Sequence, residues 1–262
     1  MNGESGRAGS RLASSVGEVI PGPRLTLLGG FDLSFDGEIV PVPTTAQRLL
    51  AFIALQEAPM RRVYVAGSLW PETSEARAGA NMRSALWRLG HPGYALFHLR
   101  ASHIELAHDI GVDVRDSTAY ARALLNYSPR FTEAHSNGTL TLTKDVLPDW
   151  SEDWVLIERE RFRQLRLHAL ESLCEQLTIM GRFSEAVQAG LAAVAAEPLR
   201  ESAHRTLVKT HLAEGNLGEA THQYRIFRQL LHDELALEPS GAMTNLVKGL
   251  DLLTIRCRSL PR

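Results

Sequence analysis

Two copies of a short glycine-led motif, GRFSEA at 181–186 and GNLGEA at 215–220, stand 34 residues apart. A period of about 34 is that of a helix–turn–helix hairpin repeated along a chain. With Leu167 and Glu201 as first positions, Leu173 aligns with Leu207, Leu177 with His211, Gly181 with Gly215 and Ala186 with Ala220. Pro198 falls where the second helix of the first copy should stop. The second copy has His232 at that place and runs on to Glu238-Pro239, so it is an extended version. Small residues at matched positions let the two helices of a hairpin approach, and stacked hairpins bury a shared core. Residues 150–262 are therefore expected to form an all-α, tetratricopeptide-like repeat domain.

The first half has a different rhythm. Residues 1–23 are rich in Gly, Ser and Arg without apolar periodicity and read as a disordered tail. From Arg24, short apolar runs are broken by Gly29-Gly30 and by Asp36-Gly37, the latter a signal for a tight hairpin turn. The period then becomes helical. Thr44 or Thr45 is placed to cap a helix through AQRLLAFIALQ, VYVAGSLW gives a second helix stopped by Pro71, and Ser74 is placed to cap a third, EARAGANMRSALWRL, which Gly90 and Pro92 end. YALFHL and HIEL around Arg100-Ala101-Ser102 read as a hairpin. Sheet, three helices and hairpin is the order of an α+β winged helix-turn-helix domain, over residues 24–110. Residues 111–149 read as a linker segment with one short helix, DSTAYARALLN, and a polar loop, SPRFTEAHSNG.

Composition narrows the function. A chain of 262 residues that is 44% apolar supports two cores. No run nears the roughly 18 apolar residues of a membrane span, and the amino-terminal stretch has no apolar segment of a secretory signal. With only Cys174 and Cys257, neither a disulfide framework nor structural zinc is expected. These features predict a cytoplasmic protein with no membrane partner. The net charge of −2 is uninformative by itself, because a basic surface can sit on a chain whose other half is acidic.

That surface is legible locally. On a helical wheel Ala78, Met82, Ala85, Leu86 and Leu89 of the third helix share one side, which must face a core. Ala80, Ser84 and Trp87 lie opposite, with Arg77, Asn81 and Arg88 along one edge and Arg83 along the other. From Ala76 to Ile104 there is no Asp or Glu, against arginines at 77, 83, 88 and 100 and histidines at 91, 98 and 103. Arginines on an outer helix face are most often only solvated. Placed third in this order of elements, however, such a helix enters the major groove, where arginine offers bidentate hydrogen bonds to phosphate and guanine.

RLTLLGGFDLSFDGEIV, TTAQRLLAFIALQ, VAGSLWPE, ANMRSALWRL and, later, LPDWSEDWVLIERERFRQLRLHALESL and AVAAEPLRESAHRTLVKTHLAEGNLGEATHQYRIFRQLLHDELALEPS resemble the antibiotic regulatory proteins of actinomycetes, the SARP family. The resemblance covers roughly residues 24–245. It implies an OmpR-type winged helix joined to a bacterial transcriptional activation domain. The expected function is a transcriptional activator of a secondary-metabolite (antibiotic) cluster. Its expected partners are promoter DNA with direct repeats, the sigma and alpha subunits of RNA polymerase, and a second protomer as homodimer or tandem pair. Carried onto this sequence, the third helix is the recognition helix, so Arg77, Asn81, Arg83, Ser84, Trp87 and Arg88 are the expected DNA contacts. Arg48 in the first helix and Arg62 opening the second are expected at phosphates, and Arg100 and His103 at the hairpin are expected at backbone or minor groove. This sequence departs from the family in ending the third helix at Leu89-Gly90-His91-Pro92-Gly93 rather than continuing it with basic residues. That shortening motivates a rival reading, a protein-interaction adaptor whose winged helix does not bind DNA.

No catalytic or cofactor chemistry is expected. The chain has no GxxxxGK[ST] phosphate loop, no GxGxxG and no GxSxG elbow. Glu201/His204 and Glu219/His222 have the Glu-x-x-His spacing of dinuclear carboxylate sites, but such sites need two more inward glutamates, so both pairs read as repeat scaffold. Trp150 and Trp154 are expected to seal the junction between the linker and the repeat domain, and ERERFRQLR at 158–166 reads as a solvated helix with alternating charge.

Overall fold

The computed structural model describes residues 22–126 and 141–248. The expected disordered tail and the expected polar loop of the linker fall almost wholly outside them. The amino-terminal part mixes strands and helices and the rest is helical.

Strands β1 (Pro23–Thr26), β2 (Asp32–Phe35) and β3 (Glu38–Ile39) form an antiparallel meander, and β7 (Gly111–Val112) joins it parallel to β1, giving the order β3-β2-β1-β7. Asp36 and Gly37 both take positive φ (51° and 87°), the backbone a two-residue turn between right-twisted strands requires. Helix α1 (Thr44–Ala54) turns seven residues into the core, Ala46 and Leu49 to Ala54. Neither threonine caps it: Pro43 holds the N-cap position with no side-chain bond, because α1 already includes Thr44. After α2 (Arg62–Leu69) comes α3 (Glu75–Arg88), whose N-cap is Ser74 as expected, although it is the Ser74 carbonyl, accepting from Ala78 N at 2.8 Å, that begins the helical bonding. Strands β4 (Met60–Arg61), β5 (Phe97–Leu99) and β6 (His103–Leu106) form a second sheet in the order β4-β6-β5, with Arg100 to Ser102 as the β5–β6 tip.

The stretch read as a linker is built into the fold. Beside β7 it supplies α4 (Asp113–Leu125), whose first residue accepts the backbone N–H groups of Leu27 (2.8 Å) and Leu28 (3.0 Å) on its carboxylate. Residues 145–147 continue this tie: Gly29 N donates to Asp145 O and Leu147 N to Leu27 O, each at 2.8 Å.

Four long helices follow: α5 (Asp153–Ile179), α6 (Phe183–Ala196), α7 (Glu201–Glu214) and α8 (Leu217–Leu235), then the short α9 (Gly241–Val247). They pair as two hairpins, α5 with α6 and α7 with α8. Gly181 and Gly215, the matched glycines of the repeat, both take positive φ at the turns (73° and 87°), and Ala186 and Ala220 are fully buried. Gly190 lies where α6 crosses its neighbours, and a Cβ there would stand 3.0 Å from Leu207 and 3.2 Å from Cys174.

The core is shared between the halves. One buried cluster runs from Leu25 through α1 to α4 and on to Ala203, and a smaller one gathers Val208, Ala220, Phe227, Leu231, Met243 and Val247. At the seam Trp150 stacks with Phe31 at 6.1 Å, and Trp154 meets Phe52 edge-on at 5.1 Å, so the junction they seal is with the amino-terminal sheet and α1 and not with the linker expected. The run 158–166 is not uniformly solvated. Arg161 and Arg163 pair with Glu158 and Glu160 on the surface, but Arg159 donates to the carbonyls of Val146, Leu147 and Trp150, and Arg166, buried, pairs with Asp145 and the carbonyl of Lys144. Two of its arginines thus clamp the preceding loop to α5. Among the described residues no helix is long and apolar enough to cross a membrane.

Candidate nucleic-acid interface

The helical period of residues 75–88 fixes which side chains of α3 point outward. Ala78, Met82 and Ala85 are buried, and Leu89 just beyond the helix is as well. Arg77, Arg83, Ser84, Trp87 and Arg88 are exposed, Asn81 is half-buried, and Trp87 is 82% exposed. The face is turned to solvent and is not covered by the helical half.

The chain on either side extends the same surface. The first backbone N–H of α2, on Arg62, donates to the Ser102 carbonyl at 2.9 Å, which holds the β5–β6 tip against the start of α2. Between α2, α3 and that tip lies an open cleft of about 840 Å³ lined by Arg61, Arg62, Val63, Gly79, Met82 and Arg83 among others, with Glu75 its one acid. Among the described residues none of Arg61, Arg62, Arg77, Arg83 and Arg88 makes an ion pair. Five guanidinium groups without an ion-pair partner, against the one carboxylate of Glu75, give this surface a net positive field, and guanidinium forks match phosphate oxygens. Arg61, which precedes the α2 pattern and was not among the expected contacts, lines the same cleft, and the adjacent Arg61-Arg62 pair is the sequence signal for it.

The remaining expected contacts divide. Arg100 is exposed at the tip and leans toward Glu105 at 3.4 Å. His103 is half-buried, its Nδ1 2.9 Å from the Ser102 hydroxyl. Arg48 is placed elsewhere. Its guanidinium lies 3.0 Å from Glu152, just before α5, and donates to the Leu69 carbonyl at 3.1 Å. Its side chain is engaged at the seam between the halves, where a carboxylate from far along the chain meets the end of α2.

The sequence that ends α3 has its own work. His91 stacks on Phe35 with ring centroids 4.0 Å apart, and Tyr94 donates to Asp36 at 2.7 Å. That bond holds the Asp36 carboxyl below its ordinary range and raises the Tyr94 hydroxyl. The glycine- and proline-rich turn thus leaves the helix axis to dock on the β2–β3 hairpin.

In the helical half, the ring nitrogens of His204 are occupied. Nε2 lies 2.8 Å from the Pro198 carbonyl and Nδ1 2.7 Å from the Gln223 amide. Glu201 holds Arg205 and Ser240. The first Glu-x-x-His pair is a packing element.

A profile of the bacterial transcriptional activator domain matches residues 118–250, just over half of the chain. The regulatory protein AfsR of Streptomyces coelicolor is 29% identical over 214 residues, which cover 72% of this chain and 22% of AfsR. The chain therefore spans about a fifth of the length of that curated relative. The solved structure of Mycobacterium tuberculosis EmbR in complex with low affinity phosphopeptide superposes with a TM-score of 0.64 at 20% identity, covering 91% of this chain and 66% of that one. It matches the order of a mixed amino-terminal part and a helical part, and so bears on the fold. The matched domain, with a SARP regulator as relative, assigns the chain to the bacterial transcriptional activator domain family, among the transcriptional regulators of the SARP type.

Proposed function

We propose that this chain is a sequence-specific, DNA-binding transcriptional activator whose amino-terminal part is a winged helix-turn-helix and whose helical part is a tetratricopeptide-like activation domain. In this reading α3 lies in the major groove with Arg77, Asn81, Arg83, Ser84, Trp87 and Arg88 toward the bases and flanking phosphates. Arg61 and Arg62 take a phosphate in the cleft beside α2, and the β5–β6 hairpin, with Arg100 and His103 at its tip, is the wing at the adjacent backbone or minor groove. Arg48 leaves this set and acts as a brace between the halves. The helical repeats contact RNA polymerase through its sigma and alpha subunits. The chain acts as a homodimer or tandem pair at promoters with direct repeats, in a secondary-metabolite cluster.

The observation that carries the reading is the outward face of α3 and the start of α2. Its arginines make no ion pair among the described residues, and all but the half-buried Arg62 are exposed, on a surface the described residues leave open. Binding to duplex DNA should weaken steeply with salt, with a log–log slope of about −0.9 for each phosphate neutralised. The test is a gel-shift and footprint series on promoter fragments from the gene cluster around its own coding sequence, with Arg83→Ala/Arg88→Ala alongside. Protection of direct repeats that the double variant loses supports the reading. Binding no tighter than to random DNA at moderate salt overturns it in favour of an adaptor.

A further inference from the structure

Of the four tryptophans, Trp70, Trp150 and Trp154 are half-buried, whereas Trp87 is 82% exposed and makes no ring contact among the described residues. A large apolar ring held in water on a helix stabilises nothing in the fold. Its neighbours on the same face are small: Ala76, Ala80 and Ser84, all exposed, precede it along the line of α3. Small side chains let the first two turns of a helix lie close to whatever they meet, so the first bulky group on that line is the indole, about 10 Å along the axis from Ala80. Arg83 and Arg88 stand beside it and Arg77 lies further back on the same helix, and no Asp or Glu occurs from Ala76 to Ile104. The occupant this surface fits is therefore a polyanion that also offers an apolar contact in reach of a recessed helix. In the major groove of duplex DNA the bulky apolar group on a base edge is the C5-methyl of thymine; beside it only the small C5–H of cytosine is not a hydrogen-bond donor or acceptor.

We infer that Trp87 is a specificity-determining residue that reads thymine, packing its indole against the C5-methyl group while Arg83 and Arg88 on either side of it hold the helix in the groove. The inference rests on the DNA-binding reading above and adds to it a base identity at one or two positions of the site. Trp87 uses its area instead of a fixed hydrogen-bond pattern, so the discrimination it gives is that of a buried methyl, roughly fourfold per group.

The experiment begins with selection of duplexes from a random pool by the full chain. Each thymine of the enriched site is then replaced in turn by deoxyuridine, which removes only the methyl. Wild type, Trp87→Ala and Trp87→Phe are compared, with circular dichroism to show that all three fold. The expected result is one or two thymines at which deoxyuridine weakens wild-type binding roughly fourfold. Trp87→Ala should bind the two duplexes equally, Trp87→Phe should keep part of the difference, and tryptophan emission should shift to the blue on binding in wild type but not in Trp87→Phe. If an enriched site emerges but deoxyuridine costs nothing anywhere, or costs Trp87→Ala as much as wild type, the thymine assignment falls and the DNA-binding reading stands. If no sequence is enriched, both fall.

Discussion

Individual side chains separate two roles that a list of arginines merges. Among the described residues Arg83 and Arg88 are exposed without ion-pair partners, whereas Arg48 is held between Glu152 and the Leu69 carbonyl. Arg48→Ala should therefore lower stability by about 1–2 kcal/mol, from a half-exposed ion pair and a hydrogen bond, and leave the salt slope of DNA binding unchanged. Arg83→Ala should reduce that slope by about 0.9 with little effect on stability. Denaturant midpoints and salt titrations on the same proteins check both halves of this expectation. His204 gives a second contrast. Burial against Phe227 and Gln223 pushes its ring below the ordinary histidine range. The unfolded chain then takes up the proton first, so this contribution to stability is complete above the unfolded pKa of about 6.5 and is lost progressively as pH falls below it. Urea midpoints at pH 7.5 and 5.5 should converge in His204→Gln relative to wild type; an unchanged difference would place the pH dependence elsewhere. The outward face of α3 could be read in advance because a 3.6-residue period assigns sides from local sequence alone. The partners of Arg48, Arg159 and Arg166 could not be, since each is a carboxylate or carbonyl that only the tertiary fold brings near.

Elements were legible where a pattern ran for three turns or where a turn needed left-handed backbone. Asp36-Gly37, Gly181 and Gly215 all take that conformation, and α1, α3 and the four long helices follow their apolar stripes. The two-residue strands β4 and β7 carry no such signal, because each exists only through pairing with a partner distant in sequence. The shortening of α3 was legible as an end to a helix but not as a contact. The turn after it presents His91 to Phe35 and Tyr94 to Asp36, which fixes the direction in which α3 leaves the sheet. Helix crossing supplies the prediction at this scale. Alanine at Gly190 gains up to about 1 kcal/mol in helix propensity, but its Cβ meets Leu207 and Cys174 in a fully buried layer, where overpacking costs about 1–3 kcal/mol. Gly190→Ala should therefore be destabilising on balance and Gly190→Val more so, as read by thermal melts.

At the scale of the molecule, the orientation of α3 is tied to the helical half by a continuous core. The cluster that begins at Leu25 in the first sheet includes α1 and α3 residues, then Val155, Phe162 and Leu170 of α5, and reaches Ala203. Phe31, Trp150, Trp154 and Phe52 pack face-on and edge-on across the seam, and Arg166, buried, fastens the loop at 144–145 that is itself bonded to Gly29. Two domains on a flexible tether would unfold separately. A shared core instead couples the outward face of α3 to the helical half, so a change in α5 is transmitted to the amino-terminal part as loss of stability. Arg166 tests this coupling. Removing Arg166 takes away a charged hydrogen bond to the Lys144 carbonyl and a pair with the half-exposed Asp145, which typically costs about 1–3 kcal/mol. Arg166→Ala, a change confined to α5, should lower the unfolding midpoint of the amino-terminal sheet and of the first hairpin by the same amount. Hydrogen exchange at Leu25 and Leu33 would report the sheet and exchange at Leu170 and Ala189 the hairpin. The second cluster, around Phe227 and Met243, should retain protection of its own. Exchange that rises in the hairpin while Leu25 and Leu33 stay protected would show that the seam does not bind the two halves into one cooperative unit.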